Sequence, residues 1–378
     1  MRLKDIPIID AHCHPFDPTK GSEDFRLDFN MSHWGVPAEM LEHTLLNYKM
    51  IRELGKLLGL PENTTQEEVV AERNKQYRSE PKKYIYKLFN EVNLGTLLVD
   101  TGYPHEEFTD HHVYLDDFKK IVPCKVYQIY RIAPTIYRIF ENLPSAFDEV
   151  CDIIDKDMEN ALRIDKVIGF KSIIAYETGL EIKMWSDKEA REAYNRFKID
   201  RNKDDEKIIR DYFTIAGLDK CRENDIPMQF HTGMGSVPIL DLQKANPILM
   251  QDILSVDRIR ETKVVITHSG HPFIQETGML VNCFPNLYCD VSAISSYFGT
   301  ALRQAFLKLF EMAPMNKIMY GTDGGTMPET YWFGALQGIK DLESALDEMV
   351  RLDWFDTSKA MEFAHMIIHD NAKKFYKL

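Results

Sequence analysis

The chain has 378 residues, 44% of them apolar, and a formal net charge of −13 at pH 7. So acidic a balance argues against a nucleic-acid or anionic-membrane partner, yet it allows a small anionic substrate held by one local arginine. The six cysteines are scattered with no C-x-x-C pair, Met1-Arg2-Leu3-Lys4-Asp5 starts no apolar signal core, and no apolar run approaches the roughly 18 residues of a membrane span. A cytoplasmic protein with reduced thiols is expected, with Cys283 and Cys289 near enough in sequence to pair but expected free.

Eight short apolar, β-rich runs follow one another. The first is Ile6 to His12, continuing to His14. The others are Leu97 to Asp100, Lys125 to Ile132, Val167 to Ile174, Pro227 to His231, Val264 to His268, Leu287 to Val291 and Lys317 to Gly321. With room for helices between them, they predict eight βα units closed into a (β/α)8 barrel, a TIM barrel. An open doubly wound sheet has the same periodicity, but no G-x-G-x-x-G follows the first run, so a nucleotide-binding version has no support.

Residues 19–93 span about 75 positions where a barrel unit needs about 30. Charged, helical-looking stretches at 37–58 and 65–78 predict a helical insertion after strand one. It would lie above the active-site face as a lid, or as the contact between copies of a homodimer. A second charged stretch, 186–207, extends the loop after strand four. The segment Thr357 to Tyr376 reads as a helix that closes a single 1–378 domain.

In a barrel of this kind the chemistry sits at the C-terminal ends of the strands. Strand alternation puts His12 and His14 on one face, roughly 7 Å apart, with Cys13 opposite and packed away. Alone, such a His-x-His is more often a strand running into a loop. Here strand four carries Lys171, strand five ends in His231, strand six in His268, and strand eight is followed by Asp323. Four imidazoles and a carboxylate at successive strand ends suit a divalent metal, zinc first, with manganese or iron also accepting these donors. His365 and His369, spaced i, i+4 without an H-E-x-x-H pattern, read as structural. His105, His111 and His112 read as a polar surface loop.

The order His-x-His, Lys, His, His, Asp resembles the amidohydrolase superfamily. The stretches FKSIIAYETGL (170–180), MQFHTGMG (228–235), VVITHSGHPF (264–273) and YGTDGG (320–325) are similar to its branch of glutamine synthetase-linked domains, as is the His369-Asp370-Asn371-Ala372 tail. The resemblance implies that His12, His14 and Asp323 hold one metal ion. His231 and His268 would hold a second, or His231 would join the first if only one binds. Lys171 would bridge two ions after carboxylation by CO2, or remain a lysine paired with a carboxylate; both readings stand open.

The resemblance further implies a metal-dependent hydrolase of a C–N amide or related ester bond in a small molecule, with Asp323 as general base and then acid. A γ-glutamyl amide is one plausible substrate. Arg131, at the end of strand three, would clamp a substrate carboxylate or else pair with a neighbouring acid. Tyr176 would cap the pocket or pack against it, and His271 would contact substrate or cap the next helix. The alternatives are a non-oxidative decarboxylase, a sugar-acid isomerase and, from a different class, a metal-binding or interaction module without turnover.

Overall fold

The computed structural model describes residues 3–19, 23–32, 35–103, 113–236 and 239–378. All eight expected runs form strands: β1 Ile8–Cys13, β2 Leu94–Asp100, β3 Lys125–Arg131, β4 Gly169–Ser172, β5 Met228–Phe230, β6 Val264–Ile266, β7 Leu287–Asp290 and β8 Ile318–Met319. They pair in parallel in chain order, from β1 beside β2 through to β7 beside β8. Between β8 and β1 the barrel closes through single bonds instead of a ladder. Ala11 N donates to Tyr320 O at 2.9 Å and Asp323 N to His12 O at 2.8 Å. Parallel strands need crossover helices, and their right-handed packing back onto the sheet wraps those helices outside.

The interior is filled by Ile9, Ala11, Leu98, Ile129, Val265 and Met319, which meet Ala372, Phe375 and Tyr376 of the final helix. That C-terminal stretch is helical over Thr357–His365, widens into a π turn at Met366–Asp370 and ends as Asn371–Tyr376. His369 Nδ1 donates to Pro7 O at 2.9 Å, and Lys377 pairs with Asp225. Pro7 and Asp225 precede β1 and β5, so this helix stoppers the N-terminal end of the barrel and leaves the C-terminal end for the site. His369 is tied in this way to the residue before β1, whereas His365 is exposed at the end of the Thr357–His365 helix.

The stretch after β1 is helical. Leu45–Leu58 is capped by Thr44, and Gln66–Ser79 by a Thr65–Glu68 capping box; Pro81–Glu91 starts with its proline in the first turn. These helices are anchored to the barrel by a buried ion pair between Arg73 and Glu329, the latter in the first turn of the Pro328–Arg351 helix. The charged stretch after β4 forms the Asp187–Asp200 helix and the start of Lys203–Glu223. The six cysteines are free. Among the described residues no helix is long and apolar enough to cross a membrane. His105, His111 and His112 lie outside the described residues.

Candidate metal centre

His12 lies within β1 and His14 one residue beyond it, their rings 5.0 Å apart. Both Nε2 atoms stand 3.3 Å from Asp323 Oδ1. The other ring nitrogens fix the tautomers. His12 Nδ1 donates to Gln229 Oε1 at 2.8 Å, and His14 Nδ1 to the Asp100 carbonyl at 3.1 Å. With the ring proton spent there, each Nε2 presents a lone pair to a carboxylate oxygen. Asp323 Oδ1 is buried and has no hydrogen-bond partner among the described residues. Three electron-pair donors within 4.8 Å of one another, with no ring proton between them, fit a cation.

Burial, and then the Lys171 ammonium, lowers the His12 pKa to about 4. Burial likewise holds His231 and His268 well below the ordinary imidazole value, so all three are neutral at pH 7, as ligands must be. Burial opposes the charge on Asp323. A cation held between Asp323 and the neutral imidazoles would offset that burial cost and favour the carboxylate.

A second pair of imidazoles adjoins the first group. His231 Nε2 donates to Met234 O at 2.7 Å, and His268 Nδ1 to Ser292 Oγ at 2.8 Å. The Ser292 hydroxyl is itself given to Asp290 Oδ1, so its oxygen is free to accept. His231 Nδ1 and His268 Nε2 are thereby left facing each other at 3.1 Å. The His268 ring is 5.5 Å from that of His12.

Two of these residues are held in the left-handed region, unusual for residues with side chains: His268 at φ 63° and Asp323 at φ 55°. Their surroundings explain how. Asp290 Oδ1 accepts from His268 N at 3.0 Å, and Ser269 Oγ donates to Asp290 O at 2.6 Å. At the closing seam, Thr322 N donates to Asp10 Oδ1 at 2.9 Å, and the Thr322 hydroxyl also donates to Asp10. Asp10 thus ties the strand carrying His12 to the turn carrying Asp323.

Lys171 is fully buried in β4. Its amine donates to Thr267 Oγ1 at 3.0 Å and lies 3.2 Å from His12 Nε2. No carboxylate pairs with it among the described residues. Burial lowers its pKa to about 8.

Arg131 takes the ion-pair alternative: Nε is 3.0 Å and Nη2 2.6 Å from Asp100 Oδ2. Asp100 is also the residue whose carbonyl orients His14. Tyr176 packs its ring 4.5 Å from that of His231, and its oxygen accepts from Ser236 N at 3.3 Å. His271 leaves Nδ1 buried without a partner among the described residues, its ring 4.8 Å from Phe298.

Sequence reasoning brings His12, His14, Lys171, His231, His268 and Asp323 together as the structure does. It overlooks Gln229, Asp10, Asp100, Asp290, Ser292 and Thr322, which orient them. Gln229 was the most findable, since alternation along MQFH puts it on the same face as His231.

An α/β barrel with imidazoles and a carboxylate at its strand ends defines a class of metal-site proteins, and comparison with known proteins narrows it. The amidohydrolase family model matches residues 190–378, half of the chain. The chain belongs to the amidohydrolase family. A crystal structure from Lactobacillus casei, of a protein named without a substrate as a metal-dependent hydrolase, aligns with TM-score 0.84 at 26% identity. It covers 99% of this chain and 96% of that one. The uronate isomerase of Thermotoga maritima shares the fold with TM-score 0.67 at 15% identity, over 99% of this chain and 95% of its own. Protein fluG of Emericella nidulans is 26% identical over 58% of this chain; the match spans 27% of that longer protein.

Proposed function

We propose that the protein is a metal-dependent hydrolase that cleaves a C–N amide, or related ester, bond in a small molecule. The observation that carries this reading is the proton-free meeting of His12 Nε2, His14 Nε2 and Asp323 Oδ1, with a buried oxygen lacking any other partner among the described residues. These three residues would hold the ion, zinc in the first instance, with His231 and His268 beside them. A divalent ion there, when bound, supplies Lewis-acid polarisation of a carbonyl and acidifies water.

The rest falls to the chain. Asp323 is the proton carrier: its second oxygen, Oδ2, takes the proton of the attacking water and returns it to the leaving nitrogen or oxygen. The Nδ1–H bonds of His12 and His14 to Gln229 and the Asp100 carbonyl keep their Nε2 lone pairs turned towards Asp323, and the bonds to Met234 and Ser292 fix the orientation of His231 and His268. Tyr176 and His271 form part of the wall that substrate meets. Arg131 already serves Asp100, so its role is to stiffen the support of His14, and a substrate carboxylate is no longer required of the reading. Lys171 is the group on which one-ion and two-ion forms differ. Burial brings its neutral amine, the form that CO2 attacks, towards neutral pH.

The test combines metal content with turnover on a panel of amides, esters, carboxylic acids and sugar acids. Hydrolysis that is lost on chelation and restored by metal supports the reading. CO2 release, or sugar-acid isomerisation without hydrolysis, replaces it with another reaction at the same site. Bound metal with no turnover replaces it with a binding module. A carbamate signal in 13C NMR of the folded protein equilibrated with 13C-labelled bicarbonate, present or absent, decides the state of Lys171.

A further inference from the structure

Gln229 is a fully buried polar side chain in β5, in a barrel interior otherwise filled by residues such as Ala11, Leu98, Ile129 and Val265. A carboxamide in such a place is costly unless every polar atom is partnered. Here both ends are. Nε2 donates to Ala11 O at 2.9 Å and to Tyr376 Oη at 2.8 Å, and Oε1 accepts from His12 Nδ1 at 2.8 Å. The Ala11 carbonyl can only accept, so the amide cannot be turned over without setting two oxygens against each other. With Oε1 forced towards His12, the proton of that imidazole must sit on Nδ1.

We propose that Gln229 is a positioning residue: clamped by Ala11 and Tyr376, it fixes the tautomer of His12 and aims the Nε2 lone pair at the cation. Tyr376 lies in the helix that stoppers the opposite end of the barrel, so the stopper itself helps to orient a ligand. This rests on reading His12 as a metal ligand. A residue that merely filled space would leave the tautomer free to vary.

Two measurements test it on the full chain. In the metal-free wild type, 15N NMR of the histidines, with the His12 signals assigned by their loss in His12→Ala, is expected to show a protonated Nδ1 and a bare Nε2. A protonated Nε2 overturns the proposal. Zinc affinity, by competition against a chromophoric chelator, is then compared across variants. Gln229→Leu is expected to bind about 10–100-fold more weakly. Gln229→Glu keeps an acceptor at Nδ1 but sets a second oxygen against Ala11 O, so it is expected to bind more weakly than wild type and more tightly than Gln229→Leu, with Tyr376→Phe also between those two. Gln229→Leu with wild-type affinity overturns the proposal. Should that variant not fold, Tyr376→Phe and the wild-type spectrum decide: wild-type zinc affinity in Tyr376→Phe counts against the clamp. A His12→Ala protein that binds zinc as tightly as wild type would instead remove the metal-ligand reading, and leaves the tautomer measurement standing by itself.

Discussion

Arg73 and Glu329 join the helices after β1 to the turn that follows Asp323. Arg73 Nε donates to Glu329 Oε1 at 2.6 Å and Nη2 to Oε2 at 2.9 Å, while Tyr84 Oη donates to Oε1 at 2.7 Å. Glu329 is fully buried, and the guanidinium lies 4.3 Å from the Tyr77 ring centroid and 4.7 Å from that of Phe25. Replacing Arg73 by Met keeps most of the side-chain length but strands a carboxylate away from water. Breaking a buried pair in this way costs about 3–5 kcal/mol, most of it the uncompensated charge. Adding Glu329→Gln removes that charge while keeping an acceptor for Tyr84. What then remains is one unpaired amide NH2 group and the lost bonds, about 1–3 kcal/mol. Urea unfolding should therefore rank wild type above the double variant and the double variant above Arg73→Met. An Arg73→Met protein within about 1 kcal/mol of wild type, or a double variant no more stable than the single one, refutes the reasoning.

Three further outcomes are expected. Asp341 is nearly buried, with Oδ2 unpartnered among the described residues, and burial raises its pKa from 3.8 to about 6. The unfolded chain thus gives up this proton first. The group's contribution is intact below pH 3.8 and is lost as pH rises to about 6. Asp341→Asn should lack that slope and be about 1–2 kcal/mol more stable than wild type at neutral pH in urea titrations, less than the ceiling of about 3 kcal/mol that the shift implies. Gly233 has φ +68°, and a Cβ there would lie 2.3 Å from His271 O. Gly233→Ala should therefore cost at least about 2 kcal/mol by the same assay, from backbone strain and overpacking together. Asp323→Asn should lose about 10²–10⁴-fold in turnover by removing the proton carrier, measured on whichever panel substrate the wild type cleaves; near-normal turnover would take that role away.

The eight strands were legible because each is a short apolar, β-rich run, and burial of both faces of a parallel sheet demands such runs. Boundaries were less so. β8 is ladder-paired only over Ile318–Met319, since Tyr320 bonds instead to Ala11 across the seam and to Ile367 of the final helical stretch. The cluster of His12, His14, His231, His268 and Asp323 was legible because histidines at strand ends have few other reasons to recur. Their supports were not, because each is a pairing across sequence: Gln229 with Tyr376 at a separation of 147, Arg73 with Glu329 at 256, Thr322 with Asp10 at 312. A buried Asp or Gln looks alike in a sequence whether it orients a histidine or merely ends a strand. Arg131 shows the same limit: its partner, Asp100, was present in the LLVD run, but only the register of β2 against β3 brings them together.

The central claim is that His12, His14 and Asp323 share one divalent cation. Anomalous diffraction from crystals equilibrated with zinc tests it most directly. A peak about 2.0–2.2 Å from His12 Nε2, His14 Nε2 and an Asp323 carboxylate oxygen is predicted. No peak at those three atoms at saturating zinc, or zinc found only elsewhere in the molecule, would contradict it.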